Sequence, residues 1–393
     1  VAMQLHFPGK ERKDTNMVKK AIANYQRFIE QYKSEGNWPI YRANIYMADA
    51  LSYVGKHEAA ADAYLWCSGE NVLDMKKYRE PTSAEKKLTQ PVDAGYNAVV
   101  ELQLAATAEV EKQGNDNVKA YNAPITKRYM QAVESYVTKF PKSPDVADLS
   151  YNLFTFQVNG KDWAAAIPSG KRLISMFPTY KYALDARARL AYAYTENKQF
   201  PEAESEYVKV ITEMRTKKDS LLPSMITNVG EVIWRMAENA EKAKKVDSAV
   251  YHFRRLAKEY PTLNIADSAA FRAAVAYENG KRFKEAAQEY LNFQTNFANS
   301  PLAISALTAA AENFRNGKDT ASAIKVLLET IYAKYPKDKD STAFKGIAMA
   351  ASLYDSSGRQ NDKAKTLEVY MTRYPEHPQT PAFLYTAGLA YEK

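Results

Sequence analysis

The sequence predicts an all-α chain built as a solenoid of antiparallel helix pairs, and three observations predict it. The first is composition. The 393 residues are 46% hydrophobic and 25% charged, the balance of a globular chain, which excludes wholesale disorder and a membrane-embedded class. Only 14 Gly and 17 Pro occur, too few for an all-β chain that turns about every ten residues. The second is a recurring phrase, an aromatic followed by proline: Phe140-Pro141, Phe177-Pro178, Tyr260-Pro261, Tyr335-Pro336 and Tyr374-Pro375, with Phe297 and Pro301 as a loosened member. Phe140 to Phe177 and Tyr260 to Phe297 each span 37 positions, and steps of 38 and 39 lead on to Tyr335 and Tyr374. So regular a period means stacked units. The third is a phrase inside the units, a small residue followed four positions later by an aromatic, as in Ala286 and Tyr290, Ala203 and Tyr207, Ala249 and Phe253, Ala60 and Tyr64.

Each phrase has a physical role. A small side chain lets two helix backbones approach, and the aromatic one turn later fills the space beside the contact. The terminal proline lacks the N–H of the next helical bond and pushes its predecessor out of the α region, so it stops the second helix of each pair. In chain order, Asn16 to Tyr32 reads as a second helix with Ala21, Tyr25 and Phe28 on one face, its partner helix missing. Units follow at about 37–72, 93–141, 145–178, 180–215, 223–261, 263–298, 300–336 and 340–375, and the chain ends on a first helix, Pro381 to Lys393. The expectation is a single solenoid over 1–393 that opens and ends within a repeat. Two segments break the rhythm, a polar insertion at 68–91 and a shorter one at 216–223.

The spacing resembles the tetratricopeptide repeat, with small residues at its eighth and twentieth positions, aromatics at the eleventh and twenty-fourth, and Pro at the thirty-second. Ala274, Tyr277, Ala286, Tyr290 and Phe293 occupy such positions in one unit, and Ala191, Tyr194, Ala203, Tyr207 and Val210 in another. Gly170 and Gln157 depart from it, standing where aromatics are expected. The resemblance implies a right-handed superhelical solenoid of helix pairs that binds a protein or peptide segment. The further spacing Tyr-Pro-x-x-x-x-Ala-x-x-Ala, as at Tyr260 to Ala269, is similar to bacterial envelope members of the family, the outer-membrane assembly lipoprotein and the Tol-Pal coordinator. That likeness implies a periplasmic or outer-membrane-peripheral adaptor, with a cytoplasmic scaffold as the alternative.

Lys and Arg total 54 against 46 Asp and Glu, a net charge of +8. Basic doublets such as Lys76-Lys77 are diluted by acids, so no nucleic-acid footprint concentrates on one face. No run reaches the about 18 to 20 apolar residues of a membrane span. The start at Val1, without a signal-like segment, gives the expectation of a processed or trimmed end with any anchor upstream. Cys67 is alone, which precludes an intramolecular disulfide.

No metal site, cofactor or catalytic constellation is expected. His6, His57, His252 and His377 are far apart in sequence, without Cys or His at metal-ligand spacing. Gly55-Lys56, Gly160-Lys161 and Gly280-Lys281 lack the rest of a phosphate loop and read as helix-turn glycines followed by a cation. Peptidoglycan-cleaving transglycosylases can carry helical superhelices before a catalytic domain, but only repeat-like segments are found here. The non-catalytic arm of such an enzyme is the runner-up.

The partner surface is expected on the first helices. Arg189, Arg235 and Arg272 share one repeat position and form either a ladder for an acidic segment or local pairs, since Asp185 and Glu231 stand four residues before the first two. Tyr192, Trp234 and Phe271 form either an aromatic docking surface or packing between units. The carboxylate clamp of chaperone-tail binders is missing, because its Lys and Asn positions read Ala188, Trp234, Phe271 and Tyr192, Glu238, Val275.

Overall fold

The computed structural model describes residues 1–32, 38–69, 90–331 and 342–392, and among them every regular element is helical. Two compact units divide the chain, Val1–Glu206 and Tyr207–Lys393. The first contains α1 (Ala2–Glu11), α2 (Thr15–Tyr32), α3 (Trp38–Tyr53), α4 (His57–Ser68), α5 (Pro91–Lys112), α6 (Asn117–Asn122), α7 (Pro124–Lys139), α8 (Val146–Asn159), α9 (Trp163–Met176), α10 (Ala183–Glu196) and the start of α11 (Phe200–Lys217). The second holds the rest of α11, then α12 (Leu222–Lys242), α13 (Val246–Glu259), α14 (Ala266–Asn279), α15 (Phe283–Asn296), α16 (Ala303–Asn316) and α17 (Thr320–Lys325), which runs into a π-helical turn at Val326–Ile331. It closes with α18 (Thr342–Ser356), α19 (Gln360–Arg373) and α20 (Thr380–Tyr391). Within each unit a helix packs chiefly on its sequence neighbours, the contact pattern of stacked repeats.

The small–aromatic phrase builds the core as expected. Ala60, Ala249 and Ala286 are fully buried, and Tyr64, Phe253 and Tyr290 are buried one turn beyond them. Gly170 shows how the pattern tolerates its own exception. A Cβ there would lie 2.8 Å from Cε2 of Phe154, so the volume that an aromatic at 170 would fill is supplied from α8. Gln157, the other departure, is buried with its Oε1 lacking a hydrogen-bond partner.

The aromatic–proline stop also acts as predicted. Phe140, Phe177, Tyr260 and Tyr374 cap their helices with ψ between 56° and 62°, outside the α region. Phe297, followed by Ala298, caps α15 with ψ 46°, so this position does not depend on an adjacent proline. Tyr335-Pro336 and most of the 68–91 insertion lie outside the described residues.

Three expectations are corrected. The first second-helix does have a partner: α1 packs on α2, with His6 fully buried and its ring nitrogens 3.3 Å from the Tyr25 hydroxyl and 3.0 Å from Asp49 of α3. The short insertion at 216–223 is half helix, since α11 runs to Lys217 and α12 starts at Leu222. A turn remains, with Lys218 at φ +53° and the Asp219 carboxylate accepting from the Leu221 N–H at 2.8 Å. The unit at 93–141 contains the additional helix α6, whose Asp116 cap accepts from the N–H groups of Val118 and Lys119.

The turn glycines divide by role. Gly55 takes φ +74°, as a helix C-terminus in the left-handed region favours. At Gly160-Lys161 and Gly280-Lys281 the left-handed residue is the lysine, with φ +58° and +57°. The glycines provide space instead, because a Cβ on Gly160 would lie 2.2 Å from Tyr121 and one on Gly280 2.7 Å from Val246. Lys281→Gly is therefore expected to raise stability by about 0.5–1 kcal/mol by relieving left-handed strain, while Gly280→Ala lowers it by about 1–3 kcal/mol through overpacking. Chemical denaturation of the two variants reads both signs.

Candidate protein-binding surface

In unit 1 the outward side of α10 carries one stripe. Tyr182, Asp185, Arg189, Tyr192 and Glu196 recur at i, i+3, i+7, i+10 and i+14, the spacing that keeps side chains on one helical face. The face exists because the opposite side of α10 is spent on the core through Ala186, Leu190, Ala193 and Tyr194, all buried. Tyr182 and Tyr192 remain 46% and 43% exposed. The Tyr192 ring meets Trp163 of α9 edge-on at 5.8 Å.

The stripe is fixed by the preceding first helix. The Tyr151 ring of α8 packs at a tilt 5.0 Å from Tyr182 and its hydroxyl donates to Asp185 at 2.6 Å, and Arg189 Nε donates to the same carboxylate at 2.6 Å. Tyr180 lies 5.9 Å from Tyr151 and donates to Asp148, which also pairs with Lys181 at 3.1 Å. The Tyr180 hydroxyl holds the Asp148 carboxyl below its ordinary range, opposed by burial and helped by the Lys181 ammonium. Burial first, and Asp148 next, push the Tyr180 phenol up. The result is a half-exposed tyrosine cluster in which the Tyr151 and Tyr180 hydroxyls are both engaged by carboxylates.

Unit 2 places the other predicted residues on a mosaic of internal pairs. Arg235 donates to Glu231 at 2.6 Å, and Trp234 Nε1 donates to Glu238 at 3.0 Å while its ring packs 5.2 Å from Phe253. Arg272 pairs with Glu241 and lies 5.6 Å from the Phe253 ring. Phe271 belongs to the core, edge-on to Tyr290 at 5.1 Å and Phe293 at 5.6 Å. Each of the three arginines thus has a carboxylate of its own. The first two follow the i,i+4 pairing legible in the sequence, whereas Arg272 reaches to the neighbouring helix, where no local spacing signals it. Tyr180 was legible as part of Tyr180-Lys181-Tyr182 directly after a stop phrase, but what it touches depends on α8.

A second concave feature of unit 2 is a groove of about 590 Å³ along α13 and α15, floored by Ala257, Ala270, Phe293 and Phe297. The Arg254–Glu289 pair spans it, with Nε donating to Oε1 at 2.7 Å. Among the described residues no group of three His, Cys, Asp or Glu side chains comes together to hold a metal. Three histidines contact nearby side chains: His6 meets Asp49 and Tyr25, His57 meets Glu101 at 2.7 Å, and His377 meets Tyr370 at 2.6 Å. Among the described residues no helix is long and apolar enough to cross a membrane.

The family comparison agrees with helix pairs in this part of unit 2. Residues 231–262 and 268–300 match the tetratricopeptide repeat family model. No curated protein matches the chain. Among solved structures, a tetratricopeptide repeat protein from Parabacteroides merdae is 12% identical over 74% of this chain and 98% of its own, with a TM-score of 0.28. The TPR2AB domain of yeast Sti1, solved in complex with pHSP90, is 14% identical over 74% and 98%, with a TM-score of 0.32. A signal-transduction ATPase with a tetratricopeptide repeat sensor from Pyrococcus horikoshii is 12% identical over 96% and 55%, with a TM-score of 0.29.

Replacing Tyr180 by Phe removes the hydroxyl donor and leaves the ring. The Asp148 pKa is then expected to rise toward the ordinary carboxylate value of about 3.9. Carboxyl carbon NMR titration of the variant measures it, and an unmoved Asp148 contradicts the hydrogen bond.

Proposed function

We propose that the chain is a non-catalytic protein-binding scaffold that holds a peptide segment of its partner along the α10 stripe of unit 1. The observation that carries this reading is the pair of half-exposed tyrosines, Tyr182 and Tyr192, flanking the fixed Asp185–Arg189 pair. Tyrosine offers large amphipathic contact area at low entropic cost. Ring contacts with Tyr151, tilted, and with Trp163, edge-on, hold both rings in place before any partner arrives, which reduces the ordering cost of association.

We place the anchor on the tyrosines rather than on an arginine ladder. Arg189, Arg235 and Arg272 are each committed to a carboxylate, so an acidic segment would have to displace Asp185, Glu231 or Glu241 to gain a full charge contact. The setting we propose is assembly or organisation of a bacterial cell-envelope complex, at the periplasmic side or the outer-membrane periphery. Its support is the Tyr-Pro-x-x-x-x-Ala-x-x-Ala spacing, carried by Tyr260, Pro261, Ala266 and Ala269.

Capture of partners from bacterial envelope extract, followed by titration of the recovered protein, tests the reading. The Tyr182→Ser/Tyr192→Ser chain should keep its helical circular dichroism and lose about tenfold or more in affinity, roughly 1.4 kcal/mol. Affinity should change little with salt, because the anchors are uncharged. A well-folded double variant that binds equally contradicts the site, and steep salt dependence returns the anchor to the charged residues.

A further inference from the structure

The helix α6, which a two-helix repeat does not require, helps to enclose a cavity of about 230 Å³ in unit 1, together with α5, the turn at Asn115 and α8. Tyr121 of α6 forms part of its wall and is fixed from three sides. The Tyr121 hydroxyl donates to Asp162 at 2.6 Å, the Lys127 ammonium sits 3.8 Å from the ring centroid, and Gly160 leaves the space the ring fills, since a Cβ there would lie 2.2 Å from it. Phe156 of α8 is half-buried, packs edge-on to Tyr129 at 5.2 Å and adds a second apolar wall.

Beside these two rings stand Glu111 of α5, Asn115, Asn117 of α6 and Asn159 of α8. All four are exposed, and their side chains make no hydrogen bond or ion pair with another described residue. Polar neighbours just outside the cavity close on one another instead, as Lys112 does on Glu109 and Asp116 on the N–H groups of Val118 and Lys119. Three carboxamides and a carboxylate thus line one cavity with their hydrogen-bonding capacity uncommitted. Each amide offers two donors and an acceptor, whereas the ionised Glu111 only accepts. Among the described residues no basic side chain lines the cavity.

We propose that this cavity binds a single neutral, hydroxyl-rich ring, a monosaccharide unit. Its volume falls below the about 300–1,000 Å³ of pockets that enclose drug-sized ligands, so one ring-sized group is what it takes. An anion would face Glu111 with no cation to pair it. An apolar ligand would strip water from three amides and a carboxylate without replacing their hydrogen bonds. An ammonium ligand would satisfy Glu111 alone, and the Tyr121 ring already carries the Lys127 ammonium. Neighbouring sugar hydroxyls each donate and accept, so they match the amides and the carboxylate together, while the C–H side of the ring meets Phe156 and Tyr121. The proposal goes beyond the α10 stripe: it uses different residues, and its failure leaves the Tyr182–Tyr192 reading standing.

The probes are the methyl glycosides of glucose, galactose, mannose and N-acetylglucosamine, each titrated into the isotope-labelled full chain and followed by amide NMR. At least one is expected to shift the signals of residues 110–121 and 156–160 saturably, and equally at low and high salt because the ligand is uncharged. The Asn117→Ala/Asn159→Ala chain, altered at two exposed positions, should keep its helical circular dichroism and bind about tenfold or more weakly. The matching free sugars and disaccharides are run alongside. A disaccharide that binds supports the site as a seat for one unit of a glycan, and one that fails where the monosaccharide binds supports it as a seat for a free sugar. Absence of saturable shifts with all four glycosides overturns the proposal, as does undiminished binding by the folded double variant. A response confined to sodium phosphate or tetramethylammonium chloride, the charged controls, also overturns it, because the cavity then selects charge.

Discussion

The close approach of two helix backbones at a small residue, wedged by an aromatic one turn further on, is the contact on which the rest of the structure depends. At Ala286 and Tyr290 the alanine is fully buried and the tyrosine nearly so, and the same arrangement recurs at Ala60 and Tyr64 and at Ala249 and Phe253. Interiors pack densely enough that the sum of volumes at such a crossing matters more than the identity of either residue. Gly170 shows the trade directly: with no side chain at 170, Phe154 from the neighbouring helix occupies the space. Because each crossing is completed within a pair and its neighbour, stability is assembled locally and repeated.

That economy decides what is left for function. A first helix spends one side on its own pair and another on the pair before it, leaving an outer stripe. On α10 the stripe is aromatic and pre-ordered by Tyr151 and Trp163, while on α12 and α14 the corresponding residues are tied into pairs such as Arg235–Glu231 and Arg272–Glu241. The rings of Tyr182 and Tyr192 therefore offer contact area that can be used without breaking the Asp185–Arg189 pair between them.

Much of the fold was legible because its causes are local. The helix-stopping aromatic and the small residue one turn before a bulky one need only a few positions of sequence to be read. The presence of α1 was not read, because its packing rests on His6 meeting Asp49 of α3, a contact between distant segments. The helix α6 carried a readable signal in the capping side chain of Asp116. The turn lysines were misassigned to a charge role, since the left-handed residue at Lys161 and Lys281 is revealed only by the crowding of Gly160 against Tyr121 and Gly280 against Val246. For the candidate surface, the i,i+4 partners of Arg189 and Arg235 were visible, whereas Glu241 as the partner of Arg272, and Phe271 as a core residue, follow from how neighbouring helices meet.

The central claim is that stability is built pair by pair from these crossings. Native-state hydrogen exchange on the full chain, comparing wild type with Ala286→Leu, tests it most directly. The account predicts that protection falls in the helices flanking the overpacked crossing, α13 through α16, while α7 through α10 exchange as in wild type. An equal loss of protection across all helices would contradict it.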